Sequence, residues 1–152
     1  MKPHLISFSI MLAISFASCS VNHKHSANAP ATNPAPISLP GTAWDLKDLA
    51  GTPVLPNSHP TLTFPEPGKT AGNGSCNRFM GSVEISSSTI KFGALASTRM
   101  ACAPAELGVQ EGKYLKALGA ASHYALQDSD LLIYSEGYDK PLRFSRSANA
   151  KP

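Results

Sequence analysis

The sequence predicts an α+β fold, a small antiparallel and barrel-like β-sheet of about eight strands with one helix inserted late. Two observations predict it. Most of residues 41–146 read as short runs in which apolar and polar side chains alternate, bounded by Gly, Pro, Ser or Asp. That period of two is the mark of antiparallel strands with one buried face. Against this background a single stretch, starting near Pro104, carries Leu107, Tyr114, Leu115 and Leu118 at three-and-four spacing, as a helix with one buried stripe does. A sheet of so many short strands leaves edges exposed, and curling into a barrel removes them. A barrel of this size has a small interior filled with side chains.

The elements follow in order. Trp44 and Leu46 alternate with polar neighbours in a first strand, and Leu62 and Phe64 alternate with Thr61 and Thr63 in a second, ended by Pro65-Glu66-Pro67-Gly68. A Gly-rich passage, Gly72-Asn73-Gly74, leads to Cys76. Phe79, Gly81, Val83 and Ile85 then point one way and Met80, Ser82 and Glu84 the other, and Ser86 to Ser88 turn the chain into Ile90 and Phe92. The glycine inside this hairpin marks a bend or a close backbone approach. Pro104 suits a first helical position and Gly119 a stop. Gly108 and Gly112 each weaken the helix by about 1 kcal/mol relative to alanine, so packing on the sheet must hold it. Tyr124 and Leu126, a turn at Asp128-Ser129-Asp130, Leu131 to Tyr134, a turn around Gly137, and Leu142 with Phe144 complete the series.

Ahead of this domain, Lys2 precedes a charge-free apolar run from Leu5 to Ala17, which is 17 − 4 = 13 residues. A spanning helix needs about 20, so the run fits the apolar core of a signal peptide. Phe16-Ala17-Ser18-Cys19 places two small residues before a cysteine directly behind it. This resembles the lipobox of bacterial lipoproteins, with Phe16 in place of the usual aliphatic residue. The resemblance implies that residues 1–18 are a lipoprotein signal peptide, that Cys19 carries the lipid, and that the membrane is a partner through that lipid. Several acyl chains anchor stably where one does so only marginally. Ser20 stands where an aspartate marks inner-membrane retention in enterobacterial lipoproteins, so by analogy the expected place is the outer membrane, facing the periplasm.

Residues 19–40 then read as a tether rich in Pro, Ala and Asn. Ser20 to Pro40 is 40 − 19 = 21 residues, with a flexible-chain reach of about 25 Å that its prolines should lengthen. The domain proper is expected over 41–146, with a disordered tail at 147–152. The net charge of +3 misleads, because Lys2, Lys24 and Lys151 lie outside the domain, leaving 13 − 3 = 10 Lys plus Arg against 10 Asp plus Glu. A neutral domain without a basic run argues against a nucleic-acid partner. With Cys19 lipidated, Cys76 and Cys102 remain, and an even pair in an exported domain implies a disulfide. Closing its loop of about 27 residues is worth roughly 3.5 kcal/mol in the chain-entropy model. A metal site is the rival reading, with only His59 and His123 in the domain to add.

Gly74-Ser75-Cys76-Asn77-Arg78-Phe79-Met80-Gly81 resembles the glycine-cysteine-asparagine motif of the META/HslJ domain, and Ser97-Thr98-Arg99-Met100-Ala101-Cys102 matches its second motif. Gly41-Thr42-Ala43-Trp44-Asp45-Leu46 is similar to its opening strand, and Glu111 before Tyr114 and Leu118 falls in the expected order. The likeness covers essentially the whole domain. Ser75 replaces the usual glycine before the cysteine. The resemblance implies an α+β, barrel-like envelope domain linked to stress response and, in some members, to drug tolerance. It implies no reaction and no catalytic residue.

The residues themselves carry no catalytic constellation: the serines lack a Gly-x-Ser-x-Gly context, and His59 and His123 have no motif around them. No metal or cofactor is expected. His23-Lys24-His25 offers two imidazoles on a tether, a poor site beside a solvated spacer. Asn77, Arg78, Thr98 and Arg99 flank the two cysteines, and a disulfide would gather them into a candidate binding patch. The structural alternative has Asn77 capping a turn and Arg99 pairing with a carboxylate such as Glu111. The expectation is thus a non-catalytic, membrane-anchored envelope lipoprotein that acts in stress response or envelope maintenance by binding an envelope protein or small ligand. Its alternatives are an inhibitor of a periplasmic or host hydrolase, shown by a rigid loop with a protruding Arg or Lys, and a pilotin-like carrier of an acyl chain or peptide, shown by an apolar cavity.

Overall fold

The structure is a computed structural model and describes residues 38–148. The signal peptide, Cys19, His23 and His25, the tether up to residue 37 and the tail from residue 149 lie outside the described residues. Ten strands and one helix make up the domain: β1 (Thr42–Leu49), β2 (Thr52–Pro53), β3 (Thr61–Phe64), β4 (Lys69–Asn73), β5 (Arg78–Ile85), β6 (Ile90–Phe92), β7 (Ala96–Ser97), α1 (Ala105–Gly119), β8 (Ala121–Gln127), β9 (Asp130–Ser135) and β10 (Leu142–Arg146).

Eight of these strands run antiparallel in the order β6-β5-β4-β3-β1-β10-β9-β8, and the short β2 and β7 pair at the side with β1 and β5. The two ends of the row then meet. Thr89 bridges His123, and the Tyr124 N–H donates to the Ser88 carbonyl at 2.9 Å. The sheet is therefore a nearly closed barrel with its helix inserted between β7 and β8, as the alternating pattern predicts.

Alternation decides what fills it. Trp44 and Leu46 of β1, Leu62 and Phe64 of β3, Phe79 and Val83 of β5, Ile90 of β6, Leu131 and Ile133 of β9, and Leu142 and Phe144 of β10 are all buried in one core. Burying each such side chain contributes about 1.5–3 kcal/mol. From α1 comes Tyr114, whose ring meets Phe79 edge-on at 5.9 Å and Phe144 at 6.2 Å, while its hydroxyl donates to the Thr61 carbonyl at 3.2 Å. One side chain thus touches β3, β5 and β10, which are spread around the wall, so α1 stoppers the barrel with an aromatic plug. Gly81 meets the close approach its position implied: a Cβ there would lie 2.8 Å from the Ala94 carbonyl oxygen.

Three features depart from the expected organisation. The fold begins before Gly41, because Leu39 is buried in the core and its carbonyl accepts from the Thr42 N–H at 3.0 Å and the Thr42 hydroxyl at 2.5 Å. Gly72 and Asn73 of the Gly-rich passage belong to a strand, β4, that the alternating pattern did not indicate. Lastly, Pro104 is the extended residue before α1, not its first turn.

Candidate functional site

The two cysteine motifs meet where β4 turns into β5 and where the chain leaves β7 for α1. Asn73 starts the turn by accepting the Ser75 N–H on its side-chain oxygen at 2.8 Å, and the Gly74 N–H donates to the Asn77 carbonyl at 2.7 Å. Cys76 is joined to Cys102 by a disulfide, with Cα atoms 5.8 Å apart, within the roughly 7 Å that such a bond allows.

Asn77 is 4% exposed and occupies the centre of this junction. Its side-chain oxygen accepts from the Thr98 hydroxyl at 3.0 Å and the Met100 N–H at 2.8 Å. Its amide nitrogen donates to Glu111 Oε1 at 2.9 Å. The other oxygen of Glu111 accepts from the N–H groups of Asn77 at 2.6 Å and Cys76 at 3.2 Å. Glu111 reaches them from α1 because residue 74 is glycine, where a Cβ would stand 2.5 Å from the Glu111 Cγ. One helix turn position thereby holds both motifs.

Beside it, Gln110 ties a second segment to the helix. Its side-chain oxygen accepts the Leu55 N–H at 2.7 Å, and its nitrogen donates to the hydroxyls of Ser58 at 2.6 Å and Ser75 at 2.7 Å. Ser75 has φ +125°, in a region that favours glycine.

On the outer side of α1 lies a groove of about 540 Å³. One wall is the β1–β2 hairpin with Leu49, Pro53 and Leu55, and the other is the helix face bearing Val109, Lys113 and Lys116. The hairpin turns on Ala50 and Gly51, both at positive φ, the geometry that suits a two-residue connection. Val109 is 59% exposed in the middle of that face.

A family model of the META domain matches residues 37–149. The chain belongs to the META domain family. No curated protein matches it in sequence. It is similar to a solved structure of a protein from Burkholderia xenovorans, with 28% identity and a TM-score of 0.58 over 81% of this chain and 97% of that one. A second solved structure matches with 26% identity and a TM-score of 0.58 over 70% of this chain and 90% of the other. A DUF4847 family protein from Bacteroides vulgatus shares 18% identity over 61% of each chain, with a TM-score of 0.47.

Within this META domain the candidate patch divides. Asn77 is buried and its side-chain oxygen accepts from the Thr98 hydroxyl, while Thr98, Arg78 and Arg99 are exposed residues. The expected pairing of Arg99 with Glu111 does not form, because three protein N–H donors already occupy that carboxylate. Among the described residues the ion pairs are Lys69–Glu66 and Arg143–Asp130. Met100, 64% exposed between Arg99 and the disulfide, completes the outward face and escaped the sequence reading. His59 is exposed. His123 stacks on Tyr134 at 4.4 Å with its Nδ1 3.1 Å from the Ser122 hydroxyl, a contact between chain neighbours. Among the described residues no three His, Cys, Asp or Glu side chains gather as a metal site.

Proposed function

We propose that this META domain protein is an envelope lipoprotein, held by an acylated Cys19 at the outer membrane and facing the periplasm, and that it serves stress response or envelope maintenance by binding rather than by catalysis. The observation that carries the binding half is the use made of the motif residues. Asn77, Thr98 and Glu111 spend their polar groups on one another and on main chain, which leaves Arg78, Arg99 and Met100 as an outward face on a cross-linked support. A rigid, disulfide-backed face of this kind recognises a partner with little ordering cost. The anchoring half rests on the small-residue cysteine motif behind a charge-free apolar run.

The test has two arms. Cys19→Ala should release the protein from membranes or stall its processing, and normal membrane attachment at normal mature mass would refute the anchor. Chemical cross-linking in cells should trap a partner of the native protein and not of an Arg78→Glu, Arg99→Glu variant. Equal trapping by both would refute the binding face. A second reading, an inhibitor of a periplasmic or host hydrolase, draws on the same face, since Arg99 and Met100 protrude from a disulfide-closed loop. Catalysis is set aside in both, so alanine at His59 or His123 should complement a deletion fully.

A further inference from the structure

The groove between α1 and the β1–β2 hairpin is unused by the cysteine face. Glu106, Val109, Lys113 and Lys116 all line it, spaced at steps of three, four and three residues, so they form one stripe along the helix. Val109, exposed in the middle of this charged stripe, gives the helix wall an apolar point that lines the groove. Opposite it stand Leu49, Pro53 and Leu55, and Tyr138 adds an aromatic side to the lining. The apolar residues of both walls are thus brought to one trough.

The charges along the trough are ordered. Lys113 and Lys116 have no carboxylate within ion-pair distance among the described residues, whose ion pairs lie elsewhere. Glu106 sits at the other end of the stripe, ten residues and about 15 Å from Lys116 along the axis. A linear ligand with an anion at one end is therefore oriented as well as attracted. The walls are also set in advance: Gln110 holds the Leu55 N–H to the helix at 2.7 Å, and the tight Ala50-Gly51 turn fixes the hairpin. A volume of about 540 Å³ falls in the range of small-molecule sites.

We propose that this groove binds a free fatty-acid carboxylate, its head between Lys113 and Lys116 and its chain laid past Val109 against Leu49, Pro53 and Leu55. The barrel interior offers the chain no such room, being filled by Trp44, Phe64, Tyr114 and Phe144. The proposal goes beyond the binding reading, concerns a face separate from Arg78, Arg99 and Met100, and is independent of the anchor at Cys19.

The experiment titrates decanoate, below its aggregation range, into the full chain carrying Cys19→Ser, with calorimetry for stoichiometry and amide shifts for location. Saturable one-to-one binding, with shifts confined to the groove, is expected. Lys113→Gln with Lys116→Gln should weaken it about tenfold, a change of about 1.4 kcal/mol. Val109→Glu should abolish it. All three positions are exposed on a helix surface, and thermal melts check that the variants fold. Equal affinity for 1-decanol, unchanged affinity in the variants, or shifts inside the barrel would overturn the proposal. So would binding seen only with anionic phosphatidylglycerol vesicles, which would make the face a membrane contact, or self-association lost in Val109→Glu, which would make it a dimer contact. Loss of the groove by any of these results leaves the cross-linking and fractionation outcomes unchanged, so the two readings fail separately.

Discussion

Glu111 is 8% exposed, and a buried carboxylate is tolerated only when protein donors replace the water it loses. It meets the Cys76 and Asn77 N–H groups with one oxygen and the Asn77 amide with the other. Glutamine has nearly the same shape but presents an NH₂ on one side, which must oppose a donor. Glu111→Gln is therefore expected to lower stability by about 1–3 kcal/mol, read as a lower urea midpoint with an unchanged slope; an unchanged midpoint would contradict the network. Ser75 makes a related point in backbone terms. Its φ of +125° costs roughly 1–2 kcal/mol for a residue with a Cβ, and its hydroxyl offsets this by accepting from Gln110 and Ser58. Ser75→Gly trades the bonds for relief of strain and should stay within about 1 kcal/mol of the native protein, whereas Ser75→Ala keeps the strain and loses the bonds. Thermal melts should thus rank alanine lowest, and a glycine variant less stable than the alanine one would refute the account.

At the scale of elements, legibility followed the chemistry of the inward positions. Strands β1, β3, β5, β9 and β10 place Trp, Leu, Ile, Val or Phe inward on alternate residues, so their period of two is plain in the sequence. Strand β4 escaped because Lys69-Thr70-Ala71-Gly72-Asn73 buries only Thr70, and the Phe79 ring of β5 lies so close to Gly72 that a Cβ there would stand 2.7 Å from its Cζ. The stripe of α1 was read from Leu107, Tyr114, Leu115 and Leu118, yet it also buries Gln110 and Glu111. Apolar periodicity is blind to buried polar residues whose partners are main-chain groups distant in sequence. Attention came to Glu111 from the likeness to the META motifs and from the suggested pairing with Arg99, not from its periodicity. The glycines of the helix are separable in space. A Cβ at Gly108 would meet the Cys102 sulfur at 3.4 Å, whereas one at Gly112 meets nothing within 4 Å. Gly112→Ala should accordingly stabilise the domain by about 0.5–1 kcal/mol, seen as a melting temperature raised by several degrees. A fall would mean that residue 112 faces something the fold does not show.

For the molecule as a whole, three devices hold a short-stranded barrel shut: the contact between Thr89 and His123, the Cys76–Cys102 bridge, and the plug formed by Tyr114. Reducing the disulfide frees a loop with a sequence separation of 26 and should lower stability by up to about 3.5 kcal/mol, with the melting temperature falling on addition of reductant and unchanged in a Cys76→Ser, Cys102→Ser variant. The plug adds a dependence on pH whose sign can be derived. Burial among Phe79, Phe144 and the wall raises the Tyr114 hydroxyl well above its ordinary value of about 10, because the phenolate would lose its water. In the unfolded chain the same hydroxyl ionises near pH 10. Above that pH the unfolded state has released a proton that the folded state keeps, so stability is fully present below about pH 10 and falls as pH rises toward the folded value. Tyr114→Phe removes the bond to the Thr61 carbonyl and should cost about 1 kcal/mol at neutral pH. It also removes the titrating group, so its stability should decline less steeply above pH 10, and the gap between the two proteins should narrow or invert. Urea melts of both from pH 8 to 11.5 give the comparison, with every other titrating group common to the pair. Curves that remain parallel through pH 11 would show that Tyr114 ionises as readily inside the barrel as outside it.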